Sequence, residues 1–101
     1  MGKETIVVSG DPDLATLIPC FLDNRRKDVC AMKEAMAHAD YELIRILGHS
    51  IKGSGGGYGF DAITELGAQI ESAATAGDRL QIMRALELLK EYLERVHVVY
   101  E

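Results

Sequence analysis

Apolar positions along this chain recur mostly at intervals of three and four residues, the spacing of one face of an α-helix. From Leu14 onward, Leu17, Ile18, Phe21 and Leu22 repeat in this way, and Val29, Met32 and Met36 carry the pattern to about Ala39. Asp11-Pro12 reads as an N-cap followed by proline at the first helical position, and Pro19 is expected to kink or split the segment. Asp40 can cap the next helix, with an inward stripe of Ile44, Leu47, Ile51, Gly55 and Tyr58. Gly59 ends that run, and Asp61 offers a new N-cap ahead of Ile63, Leu66, Gly67, Ile70 and Ala74, a stripe that closes at Gly77. Asp78 caps the last helix, whose Leu80, Met83, Leu86, Leu89, Leu93 and Val96 are expected to face inward. Short breaks between such helices favour antiparallel neighbours, so the spacing predicts an all-α antiparallel up-down four-helix bundle, a single domain over residues 1–101. An extra N-terminal segment, the β-branched Thr5-Ile6-Val7-Val8, either packs on the bundle or pairs with the tail from Val96 to Tyr100.

Composition narrows the class without changing the fold. With 48% hydrophobic and 27% charged residues the chain reads as an ordinary globular domain, and no apolar run approaches the roughly 20 residues needed to span a bilayer. The opening MGKETIVVSGDPD reaches charge and proline too soon for a secretory leader, so a cytoplasmic protein with no membrane partner is expected. A formal net charge of −5 argues against nucleic acid, and the basic cluster Arg25, Arg26 and Lys27, flanked by Asp23 and Asp28, reads as a solvated helix face. Cys20 and Cys30 match no metal-ligand spacing and read as reduced core residues, a lone disulfide being the weaker alternative.

One stretch breaks the rule of local consistency. Five glycines crowd between positions 53 and 59, on a segment the apolar stripe marks as helical. Each glycine inside a helix costs about 1 kcal/mol relative to alanine, so three or four cost roughly 3–4 kcal/mol. A flexible loop is the plain reading. A phosphate-cradling loop fails because its glycines should precede the lysine, whereas Lys52 precedes most of them, and the run lacks the strand and G-x-G-x-x-G of a dinucleotide fingerprint. The remaining reading is a helix face kept bare so that another protein can come close. His49, Lys52, Gly53, Gly56 and Phe60 fall at i, i+3, i+4, i+7 and i+11 on one face, with Arg45 one turn before His49. His49 lies about 140° round from Ile44 at 100° per residue, away from the inward stripe. His38 and His97 have no such surroundings and read as plain surface residues.

An exposed imidazole, ordinarily titrating near about 6.5, is a nucleophile near neutral pH. Attack on an acyl phosphate or on ATP would place negative charge beside Lys52 and Arg45, where cations stabilise it. Phosphoryl transfer depends mostly on alignment and charge stabilisation, so a small protein can supply the nucleophile and leave metal and acidic groups to its partner.

His49-Ser50-Ile51-Lys52-Gly53-Ser54, with Gly59 closing the run, resembles the H-x-[LI]-K-G-S signature of histidine-phosphotransfer (HPt) domains, and HSIKGSGGGYGF is particularly similar to the phosphotransfer domain of chemotaxis histidine kinases. The resemblance implies a four-helix bundle with an exposed acceptor histidine and no catalytic activity of its own. It implies phosphate exchange between a sensor histidine kinase and the aspartate of a response-regulator receiver domain. His49 would be the phosphoacceptor, Lys52 its phosphate-side cation, and Arg45, Gly53, Gly56 and Phe60 the receiver-docking face. The domain itself would hold no cofactor, Mg being expected on the partner receiver. The chemotaxis domains place a glutamate on the following helix against the acceptor histidine. Glu71 stands at the matching position and would orient His49, an exposed carboxylate without a role being the other reading. Where those domains can carry a second histidine three residues earlier, this chain has Ala68. A monomeric stand-alone relay protein fits the length. The competing class is a helical adaptor whose glycine face receives a partner without phosphorylation. A metal site lacks a third ligand beside His49 and Glu71.

Overall fold

The computed structural model describes residues 4–100 as four helices and a two-stranded sheet. Strand β1 (Ile6–Gly10) leads through a short 3-10 turn (Pro12–Leu14) into α1 (Ile18–Ala37), followed by α2 (Tyr41–Tyr58), α3 (Asp61–Thr75), α4 (Arg79–Arg95) and strand β2 (Val96–Tyr100). Successive helices pack on one another and α1 also meets α4, which closes the ring of an all-α bundle. Its core holds Ile18, Met32, Ile44, Ile51, Ile63, Ile70, Ile82 and Leu89, all fully buried.

The helix ends follow one local recipe. After α1, α2 and α3 the chain passes through a left-handed residue, Ala39 (φ 52), Gly59 (φ 82) and Gly77 (φ 65). The next amide then reaches back across the last turn, Asp40 N–H to the Ala35 carbonyl, Phe60 to Gly55 and Asp78 to Ala73, each at 2.9 Å. These are Schellman stops, which satisfy carbonyls that a helix end leaves unpaired. Asp40 and Asp78 then cap α2 and α4 by accepting from the Leu43 and Gln81 amides. At α3 the expectation is off by one residue. Phe60 is the N-cap, and Asp61 is the first helical residue, where its charge faces the positive end of the helix dipole.

Other expectations change at the ends of the chain. Asp11 caps the 3-10 turn, not α1, and Pro19 sits in the first turn of α1, so it opens the helix and does not kink it. A proline there loses no hydrogen bond, since first-turn amides have no partner inside the helix. The N-terminal segment both pairs and packs from Ile6 onward. Ile6 to Gly10 run parallel to Val96 to Tyr100, with Ile6 opposite Val96, while Ile6, Val8, Val96 and Val98 rest on the core. Parallel strands need a long crossover, and here the whole bundle supplies it.

Cys20 and Cys30 are free thiols on the exposed side of α1, not core residues; the inward positions are Phe21, Leu22, Val29 and Met32. On α4, Leu80 and Met83 are exposed and Ile82, Ala85, Leu86, Leu89, Tyr92 and Leu93 are buried. Leu80 precedes Ile82 by two residues, about 200° round the helix, so the two cannot share a face. Among the described residues no helix is long and apolar enough to cross a membrane.

Candidate functional site

Helices α2 and α3 approach more closely than side chains permit. A Cβ built on Gly67 would stand 2.5 Å from the Lys52 amide nitrogen and 2.9 Å from the Gly48 carbonyl oxygen. One on Gly48 would meet the Glu71 amide at 2.8 Å, and one on Gly55 the Thr64 hydroxyl at 2.6 Å. These glycines let two backbones touch, which sets the distance between anything on α2 and its opposite number on α3. Their clue in the chain was Gly48 and Gly55, seven residues apart beside the isoleucine stripe of α2, and Gly67 on the stripe of α3.

Across that contact, His49 of α2 faces Glu71 of α3. The imidazole Nδ1 lies 2.9 Å from Glu71 Oε2, and Lys52 Nζ lies 3.2 Å from Oε1 of the same carboxylate. The His49 side chain is 67% exposed while Glu71 is 23% exposed, so the carboxylate sits beneath a ring that stands out into solvent. An ionised carboxylate only accepts hydrogen bonds, so Nδ1 is the donor and carries the proton. In the neutral ring the lone pair then belongs to Nε2. Partial burial pushes the Glu71 carboxyl up, but the hydrogen bonds from Lys52 and His49, with their charges, outweigh it and hold the group below its ordinary range.

That depression has a sign in pH. A carboxylate whose folded value lies below its unfolded one contributes stability above the ordinary value of 4.5, and the contribution is lost as pH falls through the lowered value. Glu71→Gln cannot titrate, so the parent is expected to be the more stable of the two at neutral pH. The gap should close in the acid range below 4.5. Unfolding curves of both proteins across that range check this, and a gap independent of pH would mean that the ion pairs contribute nothing.

The other expected site residues divide. Gly53 has open space where a Cβ would be, Gly56 has only the Thr64 hydroxyl at 3.8 Å, and the neighbouring Gly57, not among the expected residues, is equally open. With His49 they form a bare outward face on a segment that is helical through Tyr58. Arg45 lies on this face, but its guanidinium is bound to Glu42 and not to His49. Phe60 does not belong to the face. It is 1% exposed and stacks on Phe21, because the left-handed Gly59 turns the chain before i+11 is reached and helical extrapolation fails there.

The basic cluster is not a uniformly solvated face. Lys27 is exposed. Arg26 donates to the Leu93 carbonyl, and Arg25 is largely buried between Asp28 and Ser54. Neither contact has a local signal, since Leu93 and Ser54 lie far along the chain. Among the described residues no three histidine, cysteine, aspartate or glutamate side chains converge as metal ligands.

A family model described as Hpt domain matches residues 16–98, from the turn before α1 to the end strand. The chain belongs to the histidine-phosphotransfer (Hpt) family. Comparison with curated proteins and with solved structures returned no match. Hpt domains are phosphorelay carriers without catalysis of their own, and work with histidine kinases and receiver domains. The match spans all four helices, and so includes the bare face of α2 and the His49–Glu71–Lys52 cluster.

Proposed function

We propose that His49 is the phosphoacceptor of this Hpt domain, with Nε2 as the nucleophile, Glu71 as its orienting carboxylate and Lys52 as the cation for the arriving phosphoryl group. The observation that carries the reading is the Nδ1–Glu71 hydrogen bond at 2.9 Å on a ring otherwise open to solvent. Receiver aspartyl phosphate is the donor this site suits. The Nε2 lone pair attacks phosphorus, the bond from phosphorus to the aspartate oxygen breaks, and the carboxylate leaves with that electron pair. The product ring gains positive character while Nδ1 keeps its proton, which Glu71 continues to accept. Lys52, one turn beyond His49 and 3.2 Å from Glu71, neutralises part of the charge of the arriving phosphoryl group. Return transfer to another receiver is the same step reversed. The Mg ion is held by the receiver.

Gly53, Gly56 and Gly57 form the ground on which the receiver sits, with Arg45 at its edge. A net charge of −5 suits a protein partner better than nucleic acid. The test is transfer from phosphorylated receiver domains to the purified protein. The parent is expected to take up label in an acid-labile, alkali-stable linkage, and His49→Gln to take up none. Label retained by His49→Gln would move the acceptor elsewhere. Receiver binding without label in the parent would favour the adaptor reading.

A further inference from the structure

Residues 53–58 of α2 read Gly-Ser-Gly-Gly-Gly-Tyr, so only Ser54 and Tyr58 have side chains with which to hold the segment to the bundle. Both are gripped by α1, and by residues at the same i, i+4 spacing. Phe21 stacks on Tyr58 with ring centroids 4.4 Å apart. Arg25 Nη1 donates to Ser54 Oγ at 2.7 Å, while its Nε donates to Asp28 Oδ2 at 2.8 Å and its guanidinium lies 5.1 Å from the Phe21 ring centroid. Ser54 Oγ in turn donates a hydrogen bond to the Ile51 carbonyl at 3.3 Å. With 13% of its side chain exposed, Arg25 gives up most of its hydration for these contacts. Burial also pushes the Asp28 carboxyl up despite the adjacent guanidinium. Removing two charges from water is a poor route to stability, because the desolvation cost offsets much of the attraction. What the arrangement does supply is direction: a planar fork reaching from α1 to one hydroxyl in the glycine segment.

We propose that Arg25 is a positioning residue for phosphoryl transfer, acting through Ser54 to keep the bare glycine turns of α2 helical and in place for the receiver. The inference rests on the phosphoacceptor reading of His49. Four glycines at about 1 kcal/mol each weaken these turns of α2; Gly55 packs them on α3 through backbone alone, and Phe21 and Arg25 hold them by side chains from the side away from the partner. His49 itself lies a turn earlier, on a stretch anchored by Gly48, Ile44 and Ile51 in the α2–α3 contact. The chemistry of the ring should therefore be separable from the order of the docking face.

Two phosphodonors separate them. Phosphoramidate, a small molecule, needs only His49 and its neighbours, whereas a phosphorylated receiver needs the whole face. In Arg25→Met and in Ser54→Ala, labelling from phosphoramidate is expected to match the parent. Transfer from the receiver is expected to fall about tenfold, as a small misplacement in a positioned reaction would cause. Amide exchange at residues 53–57 should accelerate, and adding Ser54→Ala to Arg25→Met should slow receiver transfer no further, since Arg25→Met already removes the bond to Ser54. Arg25→Lys keeps the charge beside Asp28 but lacks the fork that serves Asp28 and Ser54 together, so it should recover melting temperature without recovering receiver transfer. Equal slowing from both donors, unchanged receiver transfer, or additive single variants would each overturn the clamp. A parent that takes label from neither donor, or a His49→Gln protein that takes it, would overturn the phosphoacceptor reading and the inference with it.

Discussion

Gly56→Leu is expected to cut receiver-dependent phosphoryl transfer by about a hundredfold while leaving the isolated domain as stable as the parent or more so. Gly56 is exposed, lies two turns beyond His49 on the same face, and would meet only the Thr64 hydroxyl at 3.8 Å if it carried a Cβ. Its backbone is helical, so a leucine fits the local conformation and gains up to about 1 kcal/mol of helix propensity. The same side chain stands where a partner's backbone must come close, and a shift of about 1 Å in a positioned reaction costs on the order of a hundredfold. Thermal unfolding beside a timed transfer assay reads both quantities. A stable Gly56→Leu protein that transfers at the parent rate would mean that the receiver does not use this face.

The opposite pattern is expected of Gly67→Ala, where stability and transfer should fall together. The added carbon would stand 2.5 Å from the Lys52 amide nitrogen and 2.9 Å from the Gly48 carbonyl oxygen. Both are backbone atoms of α2 and cannot rotate aside, so the helices must part. Overpacking of this kind costs about 1–3 kcal/mol, which in a domain of this size lowers Tm by roughly 5–20 °C. Glu71 is one turn further along α3, and parting the helices draws its carboxylate from His49 Nδ1 and Lys52 Nζ. Transfer should then drop even at temperatures where the variant remains folded. An unchanged Tm would show that the α2–α3 contact has slack, and an unchanged rate in a destabilised variant would detach Glu71 from the chemistry. One glycine is thus expected to serve the partner and another the bundle, although the two look alike in the chain.

That likeness marks the boundary between what was legible in the sequence and what was not. Helix by helix, local rules sufficed. The 3.6-residue period placed Ile44, Ile51, Ile63, Ile70, Leu86 and Leu89 in the core, and Asp40, Asp78, Gly59 and Gly77 marked helix starts and stops, because these signals act over a few residues. The exposure of His49 and the bare outward glycines also followed from angle alone. Extrapolation failed wherever the helix itself ended or its facing was misjudged by a fraction of a turn, as for Phe60 beyond the left-handed Gly59 and for Leu80 and Met83 on α4. Everything that depends on one helix meeting another was decided by the tertiary structure. Gly48 and Gly67 are contact points only because α2 and α3 pack backbone to backbone, and that approach brings Glu71 to His49 across 22 residues of chain, a pairing that the family resemblance put forward but that no spacing along the chain implies. Arg25 reached Ser54, and the first strand found the last, for the same reason. Spacing along a chain sets the face on which a residue lies. Which partner that face meets is set by the distance and angle between packed elements, and those follow from the volumes of all the side chains between them.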